Sequence, residues 1–154
     1  DPELYRAATE SMKQLNRTAS EIMLACDAHA ATDITGYGLL GHAQEMAEGS
    51  GVGMRLRAGA FPLLPGVLQL AGELVDPGVT MNESSFGHRV SWDMEVSEPM
   101  RSILWESQSS GGLFISLAPD RAAEFESRAR AAGILAAPIG EVLDGPAGTI
   151  RVEA

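Results

Sequence analysis

Residues 32–47 read Thr-Asp-Ile-Thr-Gly-Tyr-Gly-Leu-Leu-Gly-His-Ala-Gln-Glu-Met-Ala. A β-prone segment, "AHAATDIT" over residues 28–35, runs into this stretch, and an amphipathic pattern leaves it. Leu39, Leu40, Ala43, Met46 and Ala47 recur at helical spacing until Gly49-Ser50-Gly51 stops them. The stretch therefore predicts a strand, a tight turn and a helix. Inside the turn, Gly36-x-Gly38-x-x-Gly41 has the literal spacing of a dinucleotide-binding loop. That fingerprint also needs an acidic residue about 20 positions on to hold a ribose. Residues 53–61, "GMRLRAGAF", offer none, and repeated βαβ units are missing from the rest of the chain. Geometry explains the glycines better: Gly36 and Gly38 permit a sharp strand-to-helix turn, and Gly41 lets the helix pack closely.

Geometry leaves Asp33 unexplained. An aspartate at the end of a strand, just ahead of a helix, has two plausible roles. It can cap the helix, the commoner fate of such a residue, or it can project into a cleft as a hard oxygen ligand for Mg²⁺. Chemistry alone favours the cap and leaves both readings open.

Working outward, Leu4, Ala8, Met12, Leu15, Ala19 and Ile22 form one apolar stripe. They predict a single helix over residues 2–24, with Pro2 in its first turn. "VGMRLRA" over 52–58 alternates like a half-exposed strand. The Pro- and Gly-rich section from Phe61 to Gly87 predicts a short helix near 65–72 and then a long irregular loop. "HRVSWDM" over 88–94 reads as a strand; Ser97 can cap a helix over 98–106 with Pro99 in its first turn. "GGLFISL" over 111–117 is a further strand. Pro119–Ala132 reads as a helix with Ala122, Phe125, Ala129 and Ala132 inward, closed by Gly133. "AAPIGEVL" over 136–143 and "TIRVE" over 149–153 are strands around a Gly-Pro turn. Strands and helices are interspersed without clean alternation, which predicts an α+β domain, a mixed β-sheet with helices packed on it.

The 154 residues suit one domain, 1–154, with no repeats or internal linker. The formal net charge is -10, and the eleven basic residues are scattered. Nucleic-acid affinity comes mostly from clustered Lys and Arg releasing counterions, so a nucleic-acid partner is disfavoured. An acidic surface repels bare phosphates, so a phosphate ligand is expected to arrive with a cation. No apolar run reaches the roughly 18 residues of a membrane span, and no signal peptide is visible. The one cysteine, Cys26, excludes an internal disulfide and fits a reducing cytoplasm. Cys26 is expected to be a buried structural thiol, because a nucleophile needs a base or cation beside it. The opening Asp1-Pro2, without Met, reads as the start of an excised piece. His29, His42 and His88 lack metal-ligand spacing, and His42 is expected to orient the second helix or its loop. Met23, Met46, Met54, Met81 and the other methionines are expected to pack, and Trp92 and Trp105 to lie in the core or on an inter-domain surface.

"TDITGYGLLGH" resembles the T-D-V-T-G-F-G-L-L-G-H signature of the selenophosphate synthetases (selenide, water dikinases), a family with the AIR synthase-related fold. Upstream, Met12-x-x-Leu15-Asn16-x-x-Ala19 is similar to that family's M-x-x-L-N-x-x-A helix. Downstream, Asn82 falls where the family has an Asn after its Pro/Gly-rich loop. "SQSSGGLFISLAPDRAAEFESRARAAGILAAPIGEV" resembles the segment around the family's D-P-Q-T-S-G-G-L motif. The resemblance spans almost the whole chain and concerns the family's C-terminal half.

It implies an AIR synthase C-terminal domain-like fold. It also implies that a separate N-terminal half, absent here, carries the reactive Cys or selenocysteine, the catalytic Lys and most of the ATP site. The family's full enzyme makes selenophosphate from selenide, ATP and water, releasing AMP and phosphate, and it uses Mg²⁺ to bridge the triphosphate to aspartates. Asp33 matches one of those aspartates, so the resemblance turns the balance from cap to metal ligand. No catalytic residue is implied in this chain, which alone should be inactive. The implied partners are its own N-terminal domain, ATP, selenide and, through the absent half, a second copy. One motif departs from the family: D-P-Q-T-S-G-G-L is here Glu106-Ser107-Gln108-Ser109-Ser110-Gly111-Gly112-Leu113. That change keeps two alternatives in view, another enzyme of the superfamily acting on a different small substrate, and a non-catalytic domain.

Overall fold

A computed structural model describes residues 2–73 and 76–154. Among these described residues, seven α-helices, α1 (Pro2–Lys13), α2 (Arg17–Ala25), α3 (Gly38–Ser50), α4 (Val67–Glu73), α5 (Pro77–Phe86), α6 (Glu98–Trp105) and α7 (Pro119–Ala131), are interspersed with six strands. The strands are β1 (Ala30–Asp33), β2 (Gly53–Arg57), β3 (Val90–Trp92), β4 (Leu113–Ser116), β5 (Gly140–Leu143) and β6 (Ile150–Glu153). The architecture is α+β, as the element order predicts, but the strands form two sheets. β1 pairs antiparallel with β4, while β3-β6-β2-β5 form a mixed sheet. In the latter, β6 is parallel to both β2 and β3, and β5 is antiparallel to β2.

The main core lies between α3, α6 and the four-stranded sheet. Leu40, Ala43 and Ala47 of α3 meet Met54 and Leu56 of β2, Leu104 and Trp105 of α6, and Ile150 and Val152 of β6. The α3 stripe thus does what its period predicts. A smaller cluster joins Cys26, Phe125 and Ala129 between α2 and α7. Cys26 is fully buried there, in keeping with a structural thiol. No helix among the described residues is long and apolar enough to cross a membrane.

Several expected elements are corrected. The single helix over 2–24 is two helices, because the chain leaves helical bonding at Gln14–Asn16. The Asn16 side-chain amide donates to the Gly111 carbonyl at 3.0 Å, a tertiary bond that competes with helix continuation. The stripe on α1 and α2 contributes no buried residue, and Met12 and Leu15 are exposed. The loop expected after residue 72 contains α5. Asp76 starts this helix by accepting a bond from the Gly78 N–H at 2.9 Å, with Pro77 in the first turn. Ser97 stands at the N-cap of α6 but makes no side-chain cap bond. Ala132, expected inward, is exposed at the end of α7. Met81 and Met94 are also exposed, whereas Met54 and Met100 pack as expected. Trp105 is in the core, and Trp92 lies half-buried beneath the Arg101 guanidinium, 5.2 Å from the ring centre.

Candidate functional site

β1 carries Asp33 at its end, opposite Leu113 of β4. Strand alternation sends neighbouring side chains to opposite faces, and the next residue, Ile34, is only 7% exposed while Asp33 is open to solvent. Asp33 does not cap α3. Tyr37 occupies that N-cap position, and no side chain caps the helix. The Asp33 carboxylate makes no hydrogen bond or ion pair with any described residue. The cap role is thus not realised, and the carboxylate stands exposed at the rim of the turn. Among the described residues no three His, Cys, Asp or Glu side chains converge closely enough to hold a metal. Asp33 is therefore not part of a complete metal-ligand set within the described residues.

The turn after Asp33 is fixed from several sides. Gly38 has a left-handed φ of +67°, and a Cβ there would stand 2.6 Å from the Trp105 carbonyl oxygen. Only glycine combines that conformation with so close an approach. Gly41 packs against Tyr37 and the Phe86 ring, as its expected role requires. Gly36 differs from expectation, since space is open around it and its φ is ordinary. What the fold uses at position 36 is the carbonyl. It accepts from the Ser107 hydroxyl at 2.7 Å and from the Asn82 amide at 3.0 Å. Asn82 donates its second amide hydrogen to the Trp105 carbonyl at 2.8 Å. The Gln108 N–H reaches the Thr35 carbonyl at 3.0 Å, and the Ile34 N–H reaches that of Gly112 at 3.0 Å.

The strand-to-helix turn at 33–38 thus rests on the loop at 106–112, and α5 braces both. Gly111 is required where these loops touch, because any Cβ would collide with the Ile34 carbonyl. The altered Glu106–Leu113 motif is consequently not an isolated turn; it is the floor beneath the Asp33 turn. His42 shares a hydrogen bond with Thr35 Oγ1 at 2.9 Å and lies 3.3 Å from Glu45, so it holds the turn onto α3 as expected. Tyr37 stands half-exposed above, its ring centre 5.3 Å from that of His42 and 5.2 Å from that of Phe86. Electrostatics mark one further point. Partial burial, and then the neighbouring Asp76 carboxylate, push the Glu106 carboxyl above its usual range. The Asn82 bridge and the Glu106–Asp76 pair are not evident in the sequence. The one available signal was Asp76-Pro77, a cap followed by a first-turn proline.

The fold and its turn define an AIR synthase-like α+β domain. The family described as "AIR synthase related protein, C-terminal domain" matches residues 3–153, and the chain belongs to it. Among relatives, the selenide, water dikinase of Citrifermentans bemidjiense is 42% identical over 143 residues, covering 92% of this chain and 41% of the relative. That of Pelobacter propionicus is 39% identical over 153 residues, covering 98% of this chain and 44% of the relative. The chain therefore spans about two fifths of the length of these relatives. Among solved structures, the hydrogenase maturation protein HypE superposes with a TM-score of 0.54 at 22% identity, over 92% of this chain and 39% of that one. A thiamine-monophosphate kinase from Stenotrophomonas maltophilia gives 0.50 at 20% identity, over 81% and 31%. These two likenesses speak for the fold.

Proposed function

We propose that this chain is the C-terminal half of a selenide, water dikinase, and that Asp33 lends one Mg²⁺-binding carboxylate to a nucleotide site closed by the other half. The observation that carries this reading is the state of Asp33. It is exposed and unpaired, at the edge of a turn held by Asn82, Ser107 and Gln108. A free carboxylate on a braced backbone suits a cation that must be held in one place.

The chemistry fits. Phosphoryl transfer depends on charge neutralisation and alignment more than on covalent help from the protein. Bound Mg²⁺ would supply that neutralisation, and a chain of net charge -10 needs a cation before it can meet a polyphosphate. Mg²⁺ usually takes one or two protein carboxylates together with phosphate oxygens and water. A single carboxylate from this chain is what such a shared site requires. It would also make cation binding draw the two halves together. The reaction proposed is the one the family resemblance implies: selenide, ATP and water give selenophosphate, AMP and phosphate. This chain's part is to position the cation; the nucleophile and most ATP contacts belong to the other half.

The test is AMP formation by the protein that contains both halves. Formation that requires selenide and Mg²⁺ is expected. ATP turnover indifferent to selenide would instead place the chain in another enzyme of the superfamily, as the altered Glu106–Leu113 motif allows.

A further inference from the structure

Asn82 is the only buried residue of α5, and it is polar. Asparagine is a poor helix former, because its side chain competes for backbone bonds. At the buried position of a ten-residue helix an apolar residue would serve packing better. The structure shows what the amide does instead. Both of its hydrogens are used, one on the Gly36 carbonyl and one on the Trp105 carbonyl. Gly36 lies three residues beyond Asp33, and Trp105 immediately precedes the Glu106–Gly112 loop. Those two carbonyls are 69 residues apart in sequence (105 − 36), and one side chain ties them.

We propose that Asn82 is a positioning residue: its buried amide couples the turn carrying Asp33 to the 106–112 loop, so that the two move as one unit. The site demands two donors and no acceptor. Ionised aspartate offers only acceptors, leucine neither. Without the amide, the Trp105 carbonyl loses its side-chain donor and Gly36 keeps only the Ser107 hydroxyl, which is on the exposed side. A buried carbonyl stripped of its donor, as at Trp105, favours opening to water, and the partly buried Gly36 carbonyl loses its tie to that anchor. The turn would then be freed together with its floor, and the direction of Asp33 would no longer be set. The consequence for cation binding rests on the proposed function; the coupling itself does not.

Hydrogen exchange on the 154-residue chain tests the coupling. Asn82→Leu keeps the branched four-heavy-atom skeleton, though with bulkier methyl ends, and favours the helix while removing both donors. It is expected to speed exchange of the Gly38 and Gln108 amides, both bonded to the Thr35 carbonyl, by about five- to tenfold, and by similar factors. Asn82→Asp, which adds charge repulsion, is expected to do the same or more. Asn82→Gln, with both donors on a longer arm, should recover part of the protection. Folded Asn82→Leu or Asn82→Asp with wild-type protection at both amides overturns the proposal, as does loosening of one loop alone.

In the two-half protein, Asn82→Leu should raise the Mg²⁺ concentration giving half-maximal rate, with a smaller loss at saturating Mg²⁺. A merely structural defect would lower the active fraction and leave that midpoint in place, and that result counts against the positioning role. If the wild-type protein forms no selenide-dependent AMP, the proposed function fails while hydrogen exchange still decides the coupling.

Discussion

A Cβ on Gly38 would stand 2.6 Å from the carbonyl oxygen of Trp105, at a residue whose φ is +67°. Strain and collision coincide there, because the turn's backbone lies directly on the end of α6. Gly38→Ala is expected to lower the unfolding free energy by about 2–4 kcal/mol. Gly36→Ala, with open space and ordinary φ, should stay within about 1 kcal/mol of wild type. Urea denaturation of both variants checks this contrast. Equal losses would restore the reading in which both glycines serve the turn's conformation.

Glu106 should leave a mark on the pH dependence of stability. Its carboxyl is raised by partial burial and by Asp76, so the folded state holds the proton more tightly than the unfolded state does. Stability from this group is therefore fully present below its ordinary value of 4.5 and falls as pH rises through the elevated folded-state value. Glu106→Gln should flatten that part of the profile. Asp76→Asn should flatten it in part while keeping the α5 cap, whereas Asp76→Ala also costs the cap, about 1 kcal/mol. Denaturation midpoints collected from pH 4.5 upward read all three; a Glu106→Gln profile with the wild-type slope contradicts the assignment.

Cys26 packs with Phe125 and Ala129 and has no exposed surface. A thiol reagent should modify it only as fast as the α2–α7 contact opens, and adding urea should raise that rate with the unfolded fraction. Rapid stoichiometric labelling of the native chain would show the thiol to be accessible after all.

How much of this was legible in the sequence depended on how local each feature is. The α3 stripe at Leu40, Ala43 and Ala47 is strong and unbroken, and the helix formed as read. α5 was hidden because "PGVTMNESSF" has no apolar stripe and is rich in residues that avoid helix interiors. Its local signal, Asp76-Pro77, was overshadowed by the surrounding glycines and prolines. The break at Asn16 depends on Gly111, 95 residues away, which no helical period can register. The strand expected over 136–143 begins only at Gly140, since Pro138 has no N–H to give a ladder and its carbonyl is instead taken by Arg57. Asp33 stood out through the wording around it. The clamp that orients it did not, because Asn82 and Ser107 reach Gly36 across 46 and 71 residues.

Asp33 is proposed to hold a cation for a nucleotide shared with a second half. That role is tested most directly by Mg²⁺ titration of selenide-dependent AMP formation in the two-half protein, wild type against Asp33→Asn. The side chains are nearly isosteric and the Asp33 carboxylate has no partner among the described residues, so folding should be unchanged. A fall in rate of about a hundredfold or more at fixed Mg²⁺ is expected, with the titration shifted to higher concentration. A variant that keeps both the wild-type rate and the wild-type Mg²⁺ midpoint would contradict that role.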